Sequence, residues 1–433
     1  MPPSSEVLGR IAAAYLERQP WFRSAIAGEG RATIELVRDE LVRDGSPGLS
    51  RLLLRRGERH FQLLVGWRAE VGTGVLRNEE GSLLGAAASG DDEVVVYDAL
   101  ADDELCRVIL EVATAGAESG QRVRAVTSLV SHASLVFDER LFVKVYRVLE
   151  AGSRPEIEVL FGLQSVGFDS LLTPASRWQD GEFDLALVRR FLPSALEGRL
   201  LALTSLRDLL GHVAQHDDAE LFVATDPDAA AAAAGGDLAG EMTRLGETTA
   251  RLHVALEEAF GDEPLALPAL TERLRAGSTG TAPAVEALLV DGHGDYGRSI
   301  RLHGDYHLRR VMRAESGWII AGFADDPLYQ ASDVGPSLPG RTGSPLEDLA
   351  DMSFALGRLA HEALSSRTAE ESELGTRLAL GWWRRNRQAF LRGYLSNPEV
   401  LALLPGDPER TDVMLAAFEE VREARYEATS AEE

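Results

Sequence analysis

Where the strand-forming runs lie constrains this sequence most. Apolar, β-branched or aromatic runs fill the first half, at 32–37, 50–55, 60–67, 93–97, 133–137, 141–146 and 184–191. After Pro193 helical patterns dominate, and one strong β-rich island recurs, at 299–323. Strands gathered early and helices gathered late define an α+β chain. The expected layout is a mixed α/β cap (1–90), a small strand-rich lobe (91–193), and a helical lobe carrying one β-hairpin (194–433).

Local signals fill in that plan. Helical spacing covers 5–18, and Arg56-Gly57-Glu58 marks a hairpin between two cap strands. The stretch 79–92, rich in Gly, Ala, Ser and Asp, reads as a boundary loop. Asp102 and Asp103 open a helix running to Thr114, where acidic side chains suit the positive end of the helix dipole. Strands 133–137 and 141–146 are joined by Asp138-Glu139-Arg140, and a helix follows near 155–164. A long helix is expected at 238–260. The alanine-rich stretch 226–240 is as compatible with a surface excursion as with a helix.

Charge narrows the partners. Lys+Arg total 44 and Asp+Glu 69, a net charge of −25, which argues against nucleic acid or an anionic membrane as a partner. An anion held locally remains compatible with that balance. Cys106 is the one cysteine, so neither an intrachain disulfide nor a cysteine metal cluster forms. Residues 1–10 carry no basic start and no long apolar run, and no apolar stretch approaches the ~18 residues of a spanning helix. The expectation is a soluble cytoplasmic protein.

Four clusters could carry chemistry. Lys144 interrupts the apolar strand Leu141-Phe142-Val143-Lys144-Val145-Tyr146, and a lysine there either reaches water or finds an anion. Glu158, in the following helix, could pair with it and position it for nucleotide phosphates. The plainer alternative is an edge-strand lysine facing water. The second cluster, His303-Gly304-Asp305-Tyr306-His307, is a polar loop suited to general-base chemistry, in which Asp305 would accept a hydroxyl proton. A purely structural loop with capping Asp and His is the alternative. In the third, Phe323-Ala324-Asp325-Asp326-Pro327, paired carboxylates could bind Mg²⁺ or form an Asp-Pro turn. In the fourth, Trp382 and Trp383 could stack on a sugar, although aromatics at helical spacing more often pack inward.

Taken together, these residues resemble the actinobacterial maltokinases, within the aminoglycoside-phosphotransferase-like kinases. The resemblance runs through Gln19-Pro20-Trp21-Phe22, the segment from Tyr97 to Leu105, and Leu141 to Lys144 with Arg147, Glu150, Gly152, Pro155 and Glu158. It continues through Leu245 to His253, His303-Gly304-Asp305-Tyr306-His307-Leu308, Ser344 to Met352, and Asn386 to Tyr394. It implies a protein-kinase-like bilobal fold with an N-terminal cap. The implied reaction transfers the ATP γ-phosphate to a sugar hydroxyl, the anomeric hydroxyl of maltose, with a nucleotide and a sugar as small-molecule partners. By that resemblance Lys144 holds ATP phosphates, Glu158 orients it, and Asp305 is the catalytic base in a loop shared with His303. The strand 187–192, with Val188 and Arg190, is the hinge meeting adenine through its backbone. His307, Trp382 and Trp383 lie on the sugar side, and Asp348 braces the loop through backbone N–H groups.

Departures from that pattern concentrate at the metal. Where the family carries Gln as a Mg²⁺ ligand, this chain has Arg310, and the Asp-Phe-Glu run after the hairpin is here Gly322-Phe323-Ala324. Arg310 would repel Mg²⁺ yet could pair with a phosphate directly. Asp325 and Asp326 are candidates for a shifted metal site. The phosphate-side loop has drifted to Ser131-His132-Ala133-Ser134. Three readings follow: a maltokinase-like sugar kinase, a pseudokinase that binds nucleotide or sugar with little or no catalysis or regulates a partner enzyme, or a structural subunit whose site is decaying.

Overall fold

The computed structural model describes residues 2–30, 32–72, 74–90, 92–126, 132–213, 237–268, 270, 271, 274, 294–323, 341–364 and 369–430. The chain divides into two compact units, Met1–Ile157 with Thr173–Pro193, and Glu158–Leu172 with Ser194–Glu433.

The first unit holds two antiparallel sheets. The cap sheet contains β1 (Glu35–Arg43), β2 (Gly48–Arg56), β3 (Arg59–Arg68), β4 (Leu83–Ser89) and β5 (Asp92–Asp98), in the order β1-β2-β3-β5-β4. Gly57, at φ +59°, makes the β2–β3 turn that the sequence marks. β2 and β3 are buried on both faces. Leu52, Leu54, Phe61, Leu63 and Val65 pack with Leu8, Tyr15 and Leu16 of α1 (Ser5–Leu16) and with Trp21 and Phe22 of α2 (Pro20–Ala25). Leu49 and Leu64, on the opposite face, join a second core.

The stretch 79–92 departs from expectation. Rather than a loop, it forms the short α3 (Glu79–Ser82) and strand β4, which pairs with β5 from Leu83 opposite Tyr97 to Ser89 opposite Asp92. Glycine, alanine and serine are weak strand formers, but a partner strand rich in valine supplies the pairing that local propensity lacks.

The second sheet comprises β6 (Val123–Val126), β7 (His132–Phe137), β8 (Leu141–Tyr146), β10 (Pro174–Asp180) and β11 (Phe183–Arg190), in the order β10-β11-β8-β7-β6. Helix α4 (Asp103–Ala113) covers one face. Asp102 caps it, accepting the Glu104 N–H at 2.9 Å, and Leu105, Ile109 and Leu110 meet Leu135, Val143, Val145 and Val188. The short strand β9 (Val148–Leu149) then pairs with β3. Beside it, the Gln62 side-chain amide donates to the carbonyls of Tyr146 at 2.9 Å and Leu185 at 3.1 Å, which ties the cap sheet to the second sheet.

Helix α5 (Pro155–Ser165) begins in the first unit and ends in the second. The rest of the second unit carries β12 (Leu196–Glu197), α6 (Gly198–Val213), α7 (Ala239–Phe260), β13 (Asp262–Pro264) and β14 (Arg298–Arg301). After these come β15 (Val311–Ala314), β16 (Gly317–Ile320), β17 (Thr342–Gly343), α8 (Leu346–Leu364), α9 (Ala369–Leu395) and α10 (Pro408–Ser430). The β-rich island at 299–323 splits between two small sheets: β14 lies between β13 and β17, while the β15–β16 hairpin pairs with β12. The alanine-rich stretch 226–240 falls, up to residue 236, outside the described residues.

Helices α7 and α9 touch backbone to backbone. A Cβ at Gly246 would fall on the Phe390 carbonyl, and one at Gly393 on the Thr243 carbonyl. Backbone carbonyls cannot rotate away, so a methyl group at either position forces the helices apart. Gly246→Ala and Gly393→Ala are each expected to destabilise the protein by roughly 1–3 kcal/mol despite alanine's better helix propensity. Thermal or denaturant melting checks this, and unchanged or raised stability would refute the close approach.

Candidate active site

Lys144 sits in β8, between Ser134 of β7 and Leu187 of β11. Its neighbours Val143 and Val145 point into the core under α4, so strand alternation sends Lys144 to the other face. There its ammonium is 2 % exposed, lies 2.7 Å from Glu156 Oε2, and stands over the Tyr146 ring at 5.4 Å. The edge-strand alternative therefore falls, because a buried ammonium has found its anion.

That anion differs from the expected one. Glu158 is 47 % exposed and bonds Arg301 at 3.0 Å. Positions 156 and 158 lie about 200° apart around a helix, so one of them faces β8 and the other does not. Glu156 was not singled out in the sequence; its signal was its place in the first turn after Pro155. Val188 packs its side chain into the α4 core, and its strand is paired on both sides, with Ser176 and Val143. The Arg190 N–H donates to the Thr173 carbonyl at 2.9 Å, and its guanidinium lies 3.3 Å from Glu118.

In the second unit the segment 302–310 leaves β14 and turns into the β15–β16 hairpin. Asp348, in the first turn of α8, holds its start. Oδ2 accepts the His303 N–H at 2.8 Å, and Oδ1 accepts the Gly304 N–H at 3.1 Å. His253 Nε2 lies 3.2 Å from Oδ2, and His253 Nδ1 lies 2.9 Å from the Tyr394 hydroxyl. Burial would raise the Asp348 carboxyl, but the His253 bond and the backbone donors hold it below the ordinary range. Gly304, at φ +81°, makes the turn that the loop needs. The Tyr306 hydroxyl pairs with Thr249 at 2.7 Å and pins the loop to α7.

His303 is buried among aromatic side chains. Its ring packs against Tyr306 and Phe323, at centroid distances of 5.1 and 4.7 Å. Neither ring nitrogen has a hydrogen-bond partner among the described residues. Burial pushes its pKa down to about 4, so the ring is neutral near pH 7.

Asp305 is buried and fully engaged. Arg310 Nε donates to Oδ2 at 3.0 Å, and Nη2 bonds the same oxygen. His307 Nε2 lies 3.4 Å from Oδ1. Its Nδ1 accepts the Arg309 N–H at 3.2 Å. Burial alone would raise the Asp305 carboxyl. The His307 bond and the Arg310 charge overcome that and hold it far below the carboxylate range.

This donor set does not fit Mg²⁺. Magnesium requires about six oxygens at about 2.0–2.1 Å. Here both Asp305 oxygens face cationic or N–H donors, and a guanidinium 2 % exposed stands beside them. Among the described residues, no group of three or more His, Cys, Asp or Glu is placed to hold a metal ion. Ala324, Asp325 and Asp326 lie outside the described residues.

The tryptophans take separate roles. Trp382 is 1 % exposed, and its indole N–H donates to Ser205 at 3.0 Å, so it offers no face to a sugar. Adjacent residues on a helix point about 100° apart, and Trp383 is half-buried. Its N–H donates to the Ser353 carbonyl at 3.2 Å, and Arg387 lies 6.0 Å from its ring. Further along α8, the Asp351 carboxyl is raised to about 7 by burial, with Arg422 as its ion-pair partner.

Comparison with known proteins agrees with this architecture. Residues 15–102 match the family described as the maltokinase N-terminal cap domain. A glucosamine kinase, solved with glucosamine, ADP and inorganic phosphate, aligns with 100 % of this chain and 96 % of its own, at 17 % identity and a TM-score of 0.61. Another crystal form of glucosamine kinase gives 0.59 over 100 % of this chain and 95 % of its own, also at 17 % identity. The fold is therefore α+β and kinase-like, preceded by a cap. The family match is confined to the cap: residues 15–102 are similar to the maltokinase N-terminal cap domain.

The buried neutral His303 fixes a pH dependence. An unfolded histidine takes up its proton near pH 6.5, whereas the folded one does so near 4. The unfolded state thus binds more protons in that window, and stability falls as pH drops from 6.5 to 4, by on the order of 1 kcal/mol per pH unit. Asp351, raised from 3.8 to about 7, acts in the opposite sense, so the comparison must be with a variant that shares it. His303→Phe should lose less stability than the wild type between about pH 7 and about pH 5 in denaturant melts. Parallel losses would mean that His303 is already charged when folded.

Proposed function

We propose that this chain is a maltokinase-like kinase that transfers the terminal phosphate of ATP to a hydroxyl of a sugar, maltose being the acceptor that the family resemblance implies. One observation carries the reading: a buried aspartate, Asp305, on a loop whose start is fixed by two backbone N–H bonds to Asp348. In this role Asp305 orients the acceptor hydroxyl and takes its proton as that oxygen bonds to phosphorus and the bond to the leaving diphosphate breaks. The Lys144–Glu156 pair supplies a held cation of the kind that orients nucleotide phosphates. The maltokinase-type cap and the likeness to a glucosamine kinase solved with its sugar and ADP support the same class.

A second reading, a pseudokinase that binds nucleotide or sugar without turnover, is favoured by the Arg310–Asp305 ion pair. That pair lowers the basicity of Asp305 and crowds the oxygen that a hydroxyl would approach.

Phosphate transfer from ATP to a panel including maltose and glucosamine separates the two. Turnover that falls by at least ~100-fold in Asp305→Asn would support the kinase. A rise in melting temperature with ATP, but no transfer to any sugar, would favour the pseudokinase. If ATP neither stabilises the protein nor reacts, both nucleotide readings fail.

The buried Lys144–Glu156 pair has its own test. Glu156→Gln leaves a desolvated ammonium without its counter-charge. It should cost about 3–5 kcal/mol in stability, read by denaturant melting, whereas Glu158→Gln should change stability by less than about 1 kcal/mol. Equal small effects would refute the pairing.

A further inference from the structure

Arg310 and Gly322 face each other at the open end of the β15–β16 hairpin. Val311 pairs with Ile320, and the Ala321 N–H donates to the Arg310 carbonyl at 2.7 Å. Gly322 adopts φ +64°, and a Cβ there would stand 2.9 Å from Arg310 Nη1 and 3.3 Å from its Cδ. Any side chain at 322 therefore competes with the guanidinium for volume. Two departures that look independent in the sequence, an arginine at 310 and a glycine at 322, are one steric arrangement: the missing side chain makes room for the long one.

The space so made holds a charge of the sign that a metal would bring. A polyphosphate approaching an isolated Asp305 carboxylate meets like charge, and a divalent ion ordinarily removes that repulsion. Here Arg310, 2 % exposed, already neutralises Asp305. A guanidinium carries five N–H donors in a planar fork, so one group can hold a carboxylate and a phosphate together. A divalent ion would have to take Asp305 from Arg310 and then sit against the displaced cation.

We propose that Arg310 replaces the divalent ion at the Asp305 loop, so that this chain binds a nucleoside di- or triphosphate with a guanidinium, rather than a metal, against its terminal phosphates. The proposal rests on the nucleotide-binding reading above and deepens it. Arg310 binds and neutralises charge; it takes no part in proton transfer.

Calorimetric titration of the full chain with ADP, in EDTA and in millimolar Mg²⁺, tests it without reference to activity. The wild type should bind with affinities that agree within about twofold. Arg310→Gln should lose at least about tenfold in EDTA, whereas Arg310→Lys, which keeps the charge, should lose less. Wild-type affinity at least about tenfold weaker in EDTA than in Mg²⁺ would overturn the proposal and leave nucleotide binding standing. So would a folded Arg310→Gln that binds as the wild type does in EDTA. Absence of ADP binding in both buffers would overturn the nucleotide reading itself, and the proposal with it. The wild-type comparison requires no variant to fold.

Discussion

The candidate site depends on one carboxylate. Asp348 draws His303 N–H, Gly304 N–H and the His253 ring onto its two oxygens at 2.8–3.2 Å, and all of these groups are buried. A buried carboxylate without donors would be strongly disfavoured; with three, it fixes the path of the chain entering 302–310. The tie spans three elements, since His253 belongs to α7, Asp348 to α8, and the loop follows β14. Tyr306 on Thr249 and Tyr394 on His253 extend it, so the position of Asp305 is set by a hydrogen-bonded frame rather than by the loop's own preferences.

Within each unit a buried cation is answered by a buried anion, and the two answers have different consequences. Lys144 with Glu156 leaves a compact ammonium on a central strand, held over the Tyr146 ring. Arg310 with Asp305 places a guanidinium on the proposed base. Both arrangements offset desolvation, as any buried charge must. The first is compatible with ordinary nucleotide chemistry. The second changes which charge an incoming phosphate meets, and it is possible because Gly322 leaves the volume open. In a chain of net charge −25, a local cation next to its candidate base is the reverse of the global balance.

The sequence by itself determined the strand and helix layout, because periodicity and turn chemistry are local. The β2–β3 hairpin, the Asp102 cap, strands β7 and β8, and the long helix α7 follow from patterns readable over a few residues. It also showed that Lys144 either reaches water or finds an anion, and that Arg310 and Gly322 differ from the pattern of the family it resembles. The tertiary structure decided the partners. Glu156 rather than Glu158 meets Lys144, because helix phase selects one of two carboxylates that the sequence spaces almost alike. His303 is packed and neutral, and Trp382 is closed to solvent, because exposure is a property of what packs around a residue and leaves no local mark. The stretch 79–92 became a strand because β5 lay beside it. Arg310 and Gly322 became one feature for the same reason: contact at the hairpin's open end is set by strand pairing, which a list of residues does not contain.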